Sequence, residues 1–298
     1  MNILITGSNG FIGSHIAEMF MNSGDHVIGL GRRAKPSFKV NEYVQCELSS
    51  EDTYSIPQKI NCQLDAVIHL AADMRKEPHT ADVVKHNCLG TQRLLEMCQI
   101  NGIKKFIQLS SLPVIGYPVE IPITESHPLK PHTVYHCTKI AEEILAQYAA
   151  DYKGIQAVSF RISAPVGARM NSKSILPIFC RSALNNEPIF IYGKGTRIQS
   201  YVHVKDIFQA IERALRAENS ISGVFNLSSS NAISNLELAK LIIRMTDSKS
   251  EIIFAKQDDP ADNENWKVSL EKIHKAFGYV PTMNMEYCIN DYLNFIRG

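Results

Sequence analysis

A chain of 298 residues, 45% hydrophobic and 20% charged, carries enough apolar material for one large domain or two joined ones, which excludes a disordered chain. With 31 basic against 30 acidic residues, the formal charge of +1 offers no basic field for nucleic acid and no polybasic run for a membrane surface. Seven cysteines without a close C-x-x-C pair argue against a disulfide scaffold or structural zinc, and read as small buried hydrophobes.

The opening "MNILITGSNGFIG" lacks the charged region, long apolar run and cleavage pattern of a signal peptide. No apolar stretch is long enough to span a bilayer. A reducing, cytoplasmic setting is the expectation.

In chain order, Asn2 to Thr6 reads as a buried strand ended by glycines, and Phe11 to Ser23 as a helix stopped at Gly24. His26 to Leu30 is a second strand, followed by the breaker-rich "GRRAKPS". "DAVIHL", Asp65 to Leu70, is another strand, Val83 to Gln99 a long helix, and "KFIQLS", Lys105 to Ser110, a further strand. This alternation predicts a Rossmann-type, doubly wound parallel sheet in an α/β protein, with its ligand cleft at the carboxyl ends of the strands.

Thr138 to Tyr152 reads as a helix and Ile155 to Arg161 as a strand, after which the rhythm weakens. Pro165 to Ser174 reads as loop, Ile175 to Asn185 as helix, and Ile189 to Val204 as two short strands around a Gly-rich turn. Asp206 to Ala217, Asn235 to Arg244, Leu270 to Phe277 and Met285 to Ile296 read as helices, with strands at Val224 to Leu227 and Glu251 to Phe254. The expected division is a dinucleotide-binding domain over 1–164, rejoined by 196–227, and a smaller interleaved substrate domain over 165–195 and 228–298.

"TGSNGFIG", Thr6 to Gly13, follows the first strand and opens the first helix. Gly7 allows a tight turn, Gly10 a close backbone approach to a pyrophosphate, and Gly13 close helix–strand packing. The helix N-terminus supplies unpaired N–H groups to the phosphates. At the end of the second strand, where an acid would bond the ribose hydroxyls of NAD, stand Gly31, Arg32 and Arg33. An arginine grips a 2′-phosphate bidentately, so the cofactor leans toward NADP(H) over NAD(H). Glu47, in "QCELSS", is placed near the adenine.

"VYHCTKIAEE", Val134 to Glu143, puts Tyr135 and Lys139 one turn apart on one helix face. A phenol titrates near 10, and a neighbouring ammonium together with an oxidised nicotinamide lowers that value. Tyr135 then moves a proton on a sugar hydroxyl while hydride passes to or from the cofactor. "LSSLPVIG" places Ser110 and Ser111 at the end of a parallel strand. Ser111 is the expected donor to the substrate oxygen, and Ser110 a structural residue.

The ordered set "TGSNGFIG", "HLAA" (His69 to Ala72), "HNCLGT" (His86 to Thr91), "LSSLPVIG", "YHCTK", "RISAPVGA" (Arg161 to Ala168), "IYGKGTRIQSYVHVKDI" (Ile191 to Ile207) and "GVFNLSSS" (Gly223 to Ser230) resembles the extended short-chain dehydrogenase/reductase family, and its NAD-dependent epimerase/dehydratase branch in particular. The resemblance implies a nucleotide-linked sugar as substrate and often a homodimer. It gives Tyr135 as acid/base, Lys139 as its partner and ribose ligand, and Ser111 as oxygen donor. It places Gly7, Asn9, Gly10, Phe11, Ile12, Gly13, Arg32, Glu47, Leu48, Leu70, Ala71, Ala72, Asn87 and Pro165 at the cofactor, Asn87 as a residue that orders backbone. His69 and His203 read as structural.

The chain also departs from that pattern. The acid pair that dehydratases carry after the catalytic serine or threonine is replaced by Leu112 and Pro113, which cannot move a proton. Ala164 replaces the substrate-binding asparagine, and Gln199 and Ser200 replace an arginine and an acid. The late diphosphate arginine has no match in the acidic "KQDDPADNENW", leaving Arg169, Lys173, Lys194 or Arg197 as substitutes. The expected reaction is oxidoreduction at C4 of a nucleotide sugar, first as a 4-ketoreductase, alternatively as a 4-epimerase. A non-catalytic dinucleotide-binding protein is the remaining alternative.

Overall fold

The computed structural model describes residues 1–298. The first strands are β1 (Asn2–Thr6), β2 (His26–Gly31), β3 (Glu42–Gln45), β4 (Ala66–His69), β5 (Lys105–Ser111) and β6 (Gln156–Ile162). Between them lie helices α1 (Phe11–Asn22), α2 (Thr80–Val84), α3 (Gly90–Ile100) and α4 (Val134–Tyr152). Strands β7 (Ala164–Val166), β8 (Ile189–Ile191) and β9 (Ile198–His203) leave the main sheet, with α5 (Ile175–Leu184) and α6 (Val204–Arg216) beside them. Strand β10 (Gly223–Leu227) returns to it. Strand β11 (Asn231–Ser234), α7 (Asn235–Thr246), β12 (Ile252–Phe254), α8 (Glu271–Phe277) and α9 (Met285–Arg297) complete the chain.

The main sheet has seven parallel strands in the order β10-β6-β5-β4-β1-β2-β3. The chain winds outward from β1 through β2 to β3, then from β4 to β10 on the other side. The reversal between β1 and β4 opens a crevice at their carboxyl ends. Both faces are covered, so the strands read as continuous apolar runs. Pleating sends Ile3 and Ile5 into one core layer and Leu4 into the other. The first layer takes apolar residues of α1, α6 and α8, including Phe20, Ile211 and Phe277. The second takes those of α3 and α4, including Leu94 and Ala146. A third core joins α5, α7 and α9 around Phe179, Leu238 and Tyr292.

Several boundaries differ from the expectation. Helix α4 starts at Val134, four residues early, because Thr133 caps it by accepting a hydrogen bond from His136 N at 3.2 Å. Tyr135 therefore lies in its first turn. The segment from Pro165 read as loop begins in β7, where Pro165 is tolerated because β7 is the edge of the three-stranded sheet β11-β9-β7. Strands β3 and β11, "EYVQ" and "NAIS", are four residues each and too polar to announce themselves. The helix expected from Val83 begins at Thr80 and passes through a π-turn, Lys85–Leu89, before α3.

Candidate active site

The glycine loop is built by close packing. Gly7 has φ +69°, and a Cβ there would lie 2.8 Å from Ala71 N. A Cβ on Gly13 would come within 2.2 Å of Gly7 O, so α1 is drawn tightly against the end of β1. Helix α1 has no side-chain cap and no acid in its first turn. Helical geometry leaves the Phe11, Ile12 and Gly13 N–H groups without intrahelical acceptors. An uncapped N-terminus over a cradle that a Cβ would fill fits the pyrophosphate of a dinucleotide. Behind it, Thr6 Oγ1 accepts from Leu70 N and Ala71 N, both at 3.1 Å, and lies 2.7 Å from His69 Nδ1. His69 Nε2 meets Thr91 Oγ1 at 2.9 Å, and burial drives this imidazole down to about 3, so it stays neutral. It is the structural residue the sequence suggested.

At the far end of β2, Asn9 Oδ1 accepts from Ser37 N at 2.6 Å and its Nδ2 donates to Tyr43 Oη at 2.9 Å. Arg32 is exposed, and its Nη1 stands 3.8 Å from Glu47 Oε2. The two nominated cofactor residues are thus a loose ion pair. Leu48 is buried in the core against Gly90, and its carbonyl accepts from Thr53 Oγ1 at 2.9 Å. Its side chain is therefore not a cleft residue.

A cleft of about 850 Å³ opens at the carboxyl ends of the strands. Ile12, Leu70, Ala72, Ser111, Tyr135, Lys139 and Pro165, from five separate segments, line it together. Ser110 Oγ donates to Glu143 Oε1 at 2.6 Å, and Arg161 grips the same carboxylate through Nε at 2.9 Å and Nη2 at 2.7 Å. This buried knot ties β5, α4 and β6 together, commits Ser110 to structure, and leaves Ser111 half-buried on the cleft wall.

The electrostatics around Tyr135 set burial against the neighbouring ammonium. Lys139 Nζ lies 5.9 Å from the centre of the Tyr135 ring and donates to Glu142 Oε2 at 2.8 Å. Lys139 and Glu142 are both fully enclosed, at 3% and 1% side-chain exposure. Burial pushes the Tyr135 phenol above its ordinary value, Lys139 pulls it down, and Glu142 pushes it up again. The net direction in the ligand-free chain is upward; Lys139 acts in the expected direction, and the oxidised nicotinamide expected to lower the phenol further would add its own positive charge. Burial works against the ammonium, but the contact with Glu142 holds it protonated.

Asn87 sits in the π-turn, buried. Its Oδ1 accepts from Asp73 N at 2.7 Å, and its Nδ2 donates to Asp73 O at 3.0 Å and Thr138 Oγ1 at 2.9 Å. It fastens the loop that follows Ala72 to α4, a backbone-ordering contact. His203 caps α6 by accepting from Lys205 N, with Nε2 3.3 Å from Asp291 Oδ2. Leu112, Pro113, Ala164, Gln199 and Ser200 all line the cleft, so the departures from the family pattern fall where they alter chemistry.

Of the substitute cations, Arg169 is spent on His15 and Glu18. Arg197 lines the cleft, with Nε buried and unpartnered and Nη2 3.9 Å from Glu264. Asp262, from the acidic stretch, caps the turn around Gly195 by accepting from Lys194 N and Thr196 N.

Sequence reasoning did not single out Glu142. Its signal is phase: Thr138, Lys139, Glu142, Glu143, Ala146 and Ala149 form the buried stripe of α4, and three of these carry charge.

Residues 3–228 match the sequence model of the NAD dependent epimerase/dehydratase family. A putative UDP-glucose 4-epimerase of Methanocaldococcus jannaschii is 29% identical, over 99% of this chain and 98% of its own length. A dTDP-glucose 4,6-dehydratase of Streptomyces griseus is 25% identical, over 95% of this chain and 90% of its own. The crystal structure of the UDP-glucose 4-epimerase of Thermotoga maritima with UDP-glucose is similar at a TM-score of 0.88 and 25% identity, covering 100% of this chain and 99% of that one.

Proposed function

Given that the chain belongs to the NAD-dependent epimerase/dehydratase family, we propose that it interconverts C4 epimers of a nucleotide-linked sugar. The carrying observation is the convergence of Ser111, Tyr135 and Lys139 on one cleft beside the glycine loop. Gly7, Gly10 and Gly13 with the N-terminus of α1 would hold the pyrophosphate of a dinucleotide, and Lys139 and Pro165, which line the cleft, would face its ribose and nicotinamide. A bound nicotinamide supplies the hydride acceptor and donor. Tyr135 Oη takes the proton of the C4 hydroxyl and later returns one to the same oxygen. Ser111 Oγ hydrogen-bonds that oxygen and holds it in place. Residues 1–164 with 196–227 form the dinucleotide lobe, and 165–195 with 228–298 the substrate lobe, from which α8 packs back onto the first core.

A diphosphate needs a cation. Arg197 lines the cleft with Nε unpartnered and Nη2 only loosely paired with Glu264 at 3.9 Å, and we assign it that role. Leu112 and Pro113 offer no proton carrier, which sets 4,6-dehydration aside. The epimerase reading is supported by the Methanocaldococcus and Thermotoga relatives. A 4-ketoreductase is the second reading, favoured by Arg32 beside the adenosine ribose, where it attracts a 2′-phosphate while Glu47 repels one. On α4, Ile144, Tyr148 and Tyr152 form an exposed apolar stripe at four-residue spacing that a second copy of the chain would cover.

The test is incubation with UDP-glucose and NAD, followed by proton NMR of the sugar. The C4 epimer is expected without net reduction of the nicotinamide, and Tyr135→Phe is expected to slow the exchange by about 10²–10⁴-fold with cofactor affinity kept. Net oxidation of NADPH with a 4-keto sugar would select the reductase. Undiminished exchange in Tyr135→Phe would remove Tyr135 from the mechanism.

A further inference from the structure

The Lys139–Glu142 pair has a consequence beyond the proton transfer assigned above. A carboxylate is 99% out of solvent in the most enclosed part of α4, and its Oε1 has no hydrogen-bond partner. The only hydrogen bond Glu142 makes through its side chain goes to the ammonium that the reaction needs. Burying an ion pair recovers little net stability against desolvation, so its placement here does not follow from folding needs.

The surrounding charges leave Glu142 without a competitor. On α4 itself, Glu143 is consumed by Arg161 and Ser110, and His136 is held to Thr133 Oγ1. From β4, His69 faces Lys139 as a neutral ring. From the π-turn, Cys88 faces the pair as a thiol pushed upward by burial, and Asn87 is neutral. Among these neighbours Glu142 is therefore the carboxylate available to hold the Lys139 ammonium.

We propose that Glu142 is a positioning residue that holds the Lys139 ammonium, charged and in place, one turn from Tyr135 and facing the cleft before any ligand enters it. This rests on the assignment of Tyr135 and Lys139 to the reaction, but its test does not require turnover.

The experiment follows the ¹³Cζ signal of Tyr135 through a pH titration of the full, ligand-free chain, assigned by its loss in Tyr135→Phe. Glu142→Gln removes the carboxylate that holds the buried Lys139 protonated, so the pull of the ammonium on the phenol is lost and the midpoint of Tyr135 should rise by about one unit or more. The pH profile of exchange should move in the same direction, with the effect on KM for the cofactor larger than that on kcat. Glu142→Asp keeps the charge one methylene further from Nζ and should give a smaller upward shift. It carries the test should Glu142→Gln melt below the assay temperature. A Tyr135 midpoint that stays within about 0.3 unit of the unmodified chain, or falls below it, in either folded variant would overturn the proposal. A raised midpoint in a protein that exchanges no sugar would uphold it while removing the epimerase reading.

Discussion

Replacing Glu143 by glutamine probes how the cleft wall is held. Its carboxylate accepts three bonds, from Ser110 Oγ at 2.6 Å, Arg161 Nε at 2.9 Å and Arg161 Nη2 at 2.7 Å. The side chains of Arg161 and Glu143 are 5% and 4% exposed. Without the negative charge, Arg161 keeps one neutral contact, Nη1 donating to Glu125 O at 3.1 Å, and its charge stays buried. Stranding one member of such a pair costs about 3–5 kcal/mol. An unfolding entropy of about 2.1 cal/mol/K per residue amounts to about 0.6 kcal/mol/K for a chain of this length, so the melting temperature should fall by roughly 5–8 °C. Differential scanning calorimetry at pH 7 reads this directly. The paired variant Glu143→Leu with Arg161→Met removes both charges and should recover most of the loss. A fall of less than about 2 °C in Glu143→Gln, or no recovery in the pair, would refute the view that a desolvated charge is at stake.

Two further outcomes test the ends of the site. Arg32→Ala should weaken NADP(H) binding about 10-fold, as expected for one charge-assisted bond, and NAD(H) binding much less, whereas Glu47→Gln should favour NADP(H). Fluorescence titrations showing equal losses for both cofactors would remove Arg32 from the discrimination. On α4, Tyr152→Lys places a charge in the exposed apolar stripe and should shift sedimentation from two copies toward one. A chain that already sediments as a single copy would dispose of the dimer.

The winding of the sheet was legible because it is written locally. Apolar runs such as "NILIT" and "AVIH" bury both faces of a strand, and glycines and helical spacing punctuate them. The order of motifs carried Ser111, Tyr135 and Lys139 to one cleft. What escaped were short polar elements: β3 and β11 are strands only because a neighbour supplies their hydrogen bonds, and β7 exists because β9 lies beside it. Leu48 went to the core because Gly90 in α3 leaves room for it.

By itself the sequence determined the α/β alternation, the glycine loop and the tyrosine–lysine spacing, since each depends on neighbours within a turn or a strand. Only the tertiary structure decided how charges are shared: Arg161 with Glu143, Lys139 with Glu142, Arg169 with His15 and Glu18, and Arg197 loosely with Glu264 at the cleft. It also decided that burial opposes the pull of Lys139 on the Tyr135 phenol. Spacing tells which groups can meet, but the strength of a charge's field depends on how much water remains around it, and that is set by segments far apart in the chain.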